Sequence, residues 1–395
     1  MEVRRVAPLG WAVIVVLVLV PQELLFRWAF PLPDVVNFNR MRYTLDAGPA
    51  TRGELRNARL VWPSEPDRVA PVETTNLYGF RGPTWNARPP AGTARVMIVG
   101  DSVVEGAVSE DDATIPLAFQ ERSEQRGVPV EALNLGVGGA QLPEYVSLVR
   151  DGLPVLRPDA LVLVLFANDF PFPRWDPAWL ADPLVPRPAR RWTPRAFEVV
   201  AAALAGRPAP RRWYGRPVNV FAAVPDPSNP WTVFGKGAER IAAPALADAM
   251  RRGTFNPFLV NVLEHMRHDL PIATDVRTPL AALAGYAAGR KVPFALAYVP
   301  FSVQVSDYYV SFERTYSDAP PDSLRGPEYQ LHARLVAAAC ADLGLPFLDL
   351  TPLLRAEEDA GHHLYWDYDI HLRPEGYRFV GRTLFDWWQG WAHRT

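Results

Sequence analysis

The stretch Asp159-Ala-Leu-Val-Leu-Val-Leu-Phe166 is apolar at every position after its first residue. A continuous run of that length reads as a strand buried on both faces, the kind found in a parallel sheet covered by helices. Working outward, Arg95–Gly100 and Val130–Leu135 read as two more short apolar strands. Between them, Asp111 and Asp112 are placed to cap a helix running to about Arg126. Gln141–Leu156 reads as a helix interrupted by Pro143 and Pro154. The alternation resumes downstream with helix Pro279–Arg290, strand Val292–Val299, helix Pro327–Leu343 and strand Pro346–Leu350. A final helix begins near Pro374, a good first helical residue. Its apolar set Tyr377, Val380, Leu384, Trp388 and Trp391 lies on one helical face. This order predicts an α/β fold, a three-layer α/β/α sandwich on a parallel sheet.

Composition agrees with a large folded core. Of 395 residues, 49% are apolar and 21% charged, which excludes wholesale disorder. The 41 prolines predict long, stiff loops. Net charge is −2, and the basic residues, all arginine except Lys236 and Lys291, are scattered rather than striped. A nucleic-acid partner is therefore not expected. The one cysteine, Cys340, sits in an apolar helical stretch, so it forms no internal disulfide and reads as buried filler.

The N-terminus carries a different signal. No charge falls between Arg5 and Glu23, and Val6–Val20 continues through Leu24, Leu25 and Phe26 to the length of a membrane span. Trp11 and Trp28 are placed as interface anchors, and Arg4 and Arg5 put the N-terminus in the cytoplasm. A cleaved signal peptide needs a small-x-small site after the apolar run, whereas the chain has Pro21-Gln-Glu-Leu-Leu-Phe-Arg27. The expectation is a retained single-pass anchor in the cytoplasmic membrane, with the body of the protein on the extracytoplasmic side.

Residues 1–30 are thus the expected anchor, and 31–90 a Pro- and Arg-rich lead-in. Residues 91–395 are the expected α/β domain, interrupted by a Pro-, Arg- and Trp-rich insertion at about 171–278 that is expected to cap one end of the sheet.

Four segments carry chemistry. Gly100-Asp-Ser-Val-Val-Glu-Gly106 follows the first strand, where Ser102 has its hydroxyl in the ligand cleft and its N–H available to an oxyanion. Asn134-Leu-Gly-Val-Gly-Gly139 follows the second strand, and its glycines let the backbone turn sharply toward a ligand. Asn168, in Phe166-Ala-Asn-Asp-Phe170, follows the third and could donate a side-chain hydrogen bond. Trp366-Asp-Tyr-Asp-Ile-His371 precedes the final helix, where His371 could serve as a general base oriented by Asp367 or Asp369. Spacing does not choose between these aspartates, because alternate residues of an extended segment share a face.

In this order the four segments resemble the SGNH (GDSL-type) hydrolase superfamily. Within it they look most like a membrane-anchored branch similar to polysaccharide O-acetyl esterases and acetyltransferases. The resemblance covers Arg95–Phe170 and Val292–Trp391, and Asn76–Gly82 also looks like a segment of anchored or exported members. It implies Ser102 as nucleophile, His371 as base and Asp369 as its orienting carboxylate. It also implies an oxyanion hole from Ser102, Gly139 and Asn168, with no cofactor and no metal. Two departures stand out: Phe166 occupies the position of a usual glycine, and Tyr368 that of the Asp in Asp-x-x-His. Asp369-Ile-His371 instead resembles the Asp-x-His form of the polysaccharide-modifying branches.

The remaining candidates are weaker. Glu264, His265, His268 and Asp269 suggest a metal, but a solvated helix face explains them better; His362-His363 reads as an exposed polar loop. The expected activity is a serine esterase that hydrolyses or transfers a small, acetyl-like O-acyl group on a glycan, with protein partners unspecified. An O-acyltransferase on polysaccharide, a lipid-directed esterase and a non-catalytic glycan-binding scaffold are the alternatives.

Overall fold

The computed structural model describes residues 17–25, 59–61, 72–74, 76, 80–83, 85, 89–181, 218–219, 274–310, 323–366 and 370–392. Its centre is a five-stranded sheet of β1 (Ala94–Gly100), β2 (Val130–Gly136), β3 (Ala160–Phe166), β4 (Phe294–Val299) and β5 (Phe347–Asp349). The order is β2-β1-β3-β4-β5, and every neighbouring pair is parallel. All residues of β3 and β4 are buried, as a sheet covered on both faces requires. Asp159 stays outside β3 and uses its carboxylate to accept from Arg95 N at 2.7 Å.

The helices around the sheet are α1 (Ser102–Glu105), α2 (Ile115–Gln125), α3 (Leu142–Leu156), α4 (Arg277–Ala288), α5 (Leu331–Leu343), α6 (Thr351–Asp359) and α7 (Pro374–Ala392). Strand order assigns their faces. The step from β1 to β2 runs one way across the sheet, and the step from β2 to β3 runs the other. Right-handed crossovers therefore put α2 on one face and α3 on the other, with α4 and α5 beside α3. The packing follows this division, since α7 lies on α2 while α3 and α5 each contact α4.

Three local expectations need correction. Helix α2 is capped by Thr114, whose hydroxyl accepts from Leu117 N at 3.2 Å. Asp111 and Asp112 are instead drawn into ion pairs with Arg81 and Arg378. Helix α3 is unbroken: Pro143 lies in its first turn, where a missing N–H costs nothing, and Pro154 in its last. Helix α6 was not anticipated.

The described N-terminal residues 17–25 are helical, with Leu17 and Leu24 67% and 63% exposed. Among the described residues no helix is long and apolar enough to cross a membrane. A second small sheet joins the lead-in to the insertion, with Arg59–Val61 antiparallel to Val72–Thr74 and parallel to Val218–Asn219.

Candidate active site

In a sheet of this order, ligands bind outside the strand carboxyl ends where the order reverses, between β1 and β3. Ser102 starts α1 directly after β1, and Asn168 lies in the 3₁₀ turn Ala167–Asp169 directly after β3. The turn onto α1 needs Asp101 as its cap, whose Oδ1 accepts from Val103 N at 2.9 Å. It also needs Gly136 at the end of β2, because a Cβ there would collide with the backbone of Glu105. Gly139, two residues into the loop that follows Val137, is exposed and has φ +72°, a conformation that suits glycine.

His371 comes from the other end of the chain. The segments around it pair as a narrow antiparallel ribbon, with Trp366 N donating to His371 O at 3.1 Å and Arg373 N to Leu364 O at 2.8 Å. Its Nε2 lies 2.8 Å from Ser102 Oγ, and both residues are buried. The second oxygen of Asp101 lies 3.4 Å from the same hydroxyl. Asp367 and Asp369, the two candidates for the orienting carboxylate, lie outside the described residues. So do Glu264, His265, His268 and Asp269.

The electrostatics are set by two buried carboxyls. Burial raises Asp101 to about 6, against the Val103 N–H, the His371 charge and hydrogen bonds from Asn168 and Ser102. The Asn168 amide is thus tied to the residue before the nucleophile, and an amide nitrogen has a second N–H to offer a ligand. Asp169 is pushed well above the usual carboxylate range, first by burial and then by the charge of Asp101. It is held by the Tyr145 hydroxyl at 2.6 Å and by Phe166 N at 2.7 Å. Burial likewise lifts the Tyr145 phenol.

Phe166 departs from the expected glycine because its ring fills the core, edge-on to Phe301 at 5.1 Å between centroids. His362 and His363 pair with Glu357 and Glu358 and line a cleft of about 500 Å³ with Arg373, Glu375, Phe379 and Arg382. Cys340 is buried, and burial pushes its thiol up to about 12. Among the described residues no three His, Cys, Asp or Glu side chains are grouped as a metal ion would need. Sequence reasoning missed Tyr145 and Asp169, whose contact spans 24 residues of sequence and follows no motif.

A serine hydroxyl within hydrogen-bond reach of a histidine at the carboxyl ends of a parallel sheet is the arrangement of a nucleophile beside its base. Residues 98–379 match the GDSL-like Lipase/Acylhydrolase family, and the chain belongs to it. It is a serine hydrolase of the SGNH/GDSL type, acting on ester bonds. Solved structures similar to it include an acetyl xylan esterase, AlAXEase, at 13% identity over 74% of this chain and 98% of that one, TM-score 0.37. Another is the psychrotrophic esterase EstA from Pseudoalteromonas sp., at 10% identity over 76% and 98%, TM-score 0.38. A third is the lipase/acylhydrolase from Enterococcus faecalis, at 12% identity over 75% and 96%, TM-score 0.37. No curated protein matches the chain.

Proposed function

We propose that this chain is an exported, membrane-anchored serine esterase that removes a small, acetyl-like O-acyl group from a glycan. The observation that carries the reading is the 2.8 Å contact between Ser102 Oγ and His371 Nε2. With its other nitrogen protonated and held by Asp369, His371 takes the Ser102 proton as Oγ adds to the ester carbonyl. The oxyanion is received by the N–H groups of Ser102 and Gly139 and by the Asn168 amide. Collapse breaks the bond between the acyl carbon and the sugar oxygen, which takes the proton from the imidazolium and departs as a hydroxyl. Water activated by the same histidine then hydrolyses the acyl-enzyme.

The glycan ester is supported by Asp369-Ile-His371, which is similar to the Asp-x-His form of polysaccharide O-acetyl-modifying branches. Anchoring and export are supported by Arg4 and Arg5 ahead of the apolar run, and by the exposed apolar side chains of the helical residues 17–25. The same features keep a lipid-directed esterase in play as an outcome of the test.

The test is a fluorophosphonate label on the full-length protein in detergent. Wild type should label and Ser102→Ala should not. Acetate release from an acetylated polysaccharide should then exceed fatty-acid release from a lysophospholipid. Turnover only with an added sugar acceptor would make the chain a transferase. Absence of labelling in the folded wild type would overturn the catalytic reading.

A further inference from the structure

Ser102 and His371 are 269 residues apart, so their 2.8 Å contact depends on whatever holds the two loops together. The loop after α1 has an unusual backbone. Gly106 is left-handed at φ +87°, and Val108, a β-branched residue, is left-handed at φ +60°. Such a conformation persists in a non-glycine residue only when its surroundings enforce it. The enforcement is visible in the carbonyls of this loop. Ala107 O accepts from the Tyr377 hydroxyl at 2.7 Å, Val108 O from Trp366 Nε1 at 3.1 Å, and Ser109 O from Arg81 Nη2 at 2.6 Å.

Of these donors, Trp366 alone belongs to the ribbon that carries His371. Its backbone N–H holds His371 O at 3.1 Å while its indole N–H holds the nucleophile loop. The ring is buried in a small cluster with Ala107 and Val108. Its orientation is supported from the ribbon by Arg373, whose guanidinium lies 5.2 Å from the ring centroid and whose Nε donates to Tyr365 O at 2.6 Å. One side chain therefore spans both halves of the reacting pair.

We infer that Trp366 is a positioning residue: it sets the distance and alignment of Ser102 Oγ and His371 Nε2 by clamping the histidine ribbon to the nucleophile loop through Val108. This rests on the catalytic reading of Ser102 and His371 given above. Displacement of a catalytic group by an ångström costs a large factor in rate, so the donor is worth more to turnover than to folding.

The test is the rate of fluorophosphonate labelling of Ser102, measured per mole of folded protein. Trp366→Phe keeps an aromatic ring but removes the donor. Replacing Trp366 with benzothienylalanine keeps the indole shape and removes only the N–H, which guards against a packing defect. Both should slow labelling and lower kcat for a short-chain ester by roughly 10- to 100-fold with KM little changed. A purely structural tryptophan would lower Tm and leave the labelling rate of the folded fraction and kcat unchanged, and that result overturns the inference. A wild type that fails to label would instead overturn the catalytic reading itself, so the two failures are distinct.

Discussion

Asp101 is fully buried beside Ser102, and burial raises its carboxyl from 3.8 to about 6. The folded chain therefore binds this proton more tightly than the unfolded chain. Between those two pH values the native state carries more protons, so the stability contributed by the neutral carboxyl is complete below 3.8 and is lost as pH rises through about 6. In Asp101→Asn the amide oxygen can still accept from Val103 N, but nothing titrates. Urea denaturation at about pH 4 and pH 7 should thus show the variant gaining on wild type by about 2 kcal/mol at the higher pH. Parallel pH dependence of the two proteins would remove Asp101 as the titrating group. Asn168, tied to the same carboxyl, makes a separate prediction. Asn168→Ala should lower kcat by ~10²–10³ with KM little changed, the loss expected for one oxyanion donor. A change confined to KM would mean that the amide binds ground-state substrate only. The carboxylate serving His371 is decided by comparing Asp369→Asn with Asp367→Asn. The larger fall in kcat should be at Asp369, because an amide can hold the wrong imidazole tautomer.

At the scale of elements, α7 delivers the histidine loop, since the helix begins three residues after His371 and lies along α2. Phe119 of α2 meets Phe385 edge-on at 5.2 Å and Trp388 at 5.5 Å. The close approach is made at Gly381, where a Cβ would stand 2.5 Å from Ile115 O and 2.6 Å from Ala118 Cβ. Gly381→Ala must therefore push the helices apart. It should cost about 1–3 kcal/mol in stability and, by shifting the start of α7, slow Ser102 labelling as well. An unchanged Tm would show that the contact relaxes freely. The buried face of α7 was legible in the sequence because Tyr377, Val380, Leu384 and Trp388 repeat with the helical period. Strands β1 and β3 were legible because an unbroken apolar run has few other uses. The cap of α2 was not, since Asp111, Asp112 and Thr114 all have capping chemistry. What removed the aspartates was a pair of distant arginines, Arg81 and Arg378. Helix α6 is short, with Arg355, Glu357, Glu358 and Asp359 charged and Leu354 its one large apolar residue fully buried, so it offered little period to read. In the site, the segments at strand ends were readable from position alone. The Asp101, Asp169 and Tyr145 cluster was not, because it exists only once β1, β3 and α3 are packed together.

At the scale of the whole molecule, the described lead-in residues Phe80 and Trp85 are part of the same core. Both are buried, with ring centroids 5.3 Å apart. Arg81 is 1% exposed; its guanidinium bonds Gly106 O and Ser109 O and meets Asp111 at 3.2 Å. Those carbonyls belong to the loop that follows the nucleophile helix. Two truncations should therefore behave very differently. A chain beginning at residue 31 loses the apolar N-terminal run and keeps every contact just described. It should leave the membrane fraction, fold, and label at Ser102 at the rate of the full-length protein. A chain beginning at residue 91 loses two large buried aromatics and the only buried guanidinium described on that loop. Deleting a buried aromatic side chain costs about 3–5 kcal/mol, and an orphaned buried acceptor about 1–3 kcal/mol. Their sum reaches the ~5–15 kcal/mol that stabilises a whole domain. The shorter chain should accordingly be insoluble or lack a cooperative thermal transition, whereas Arg81→Met alone should fold with a lowered Tm and slower labelling. Solubility, near-ultraviolet circular dichroism and fluorophosphonate labelling of the three proteins decide the matter. Wild-type labelling by the chain from residue 91 would show that the nucleophile loop holds its shape without the lead-in, and retention of the chain from residue 31 in membranes would place the anchor elsewhere.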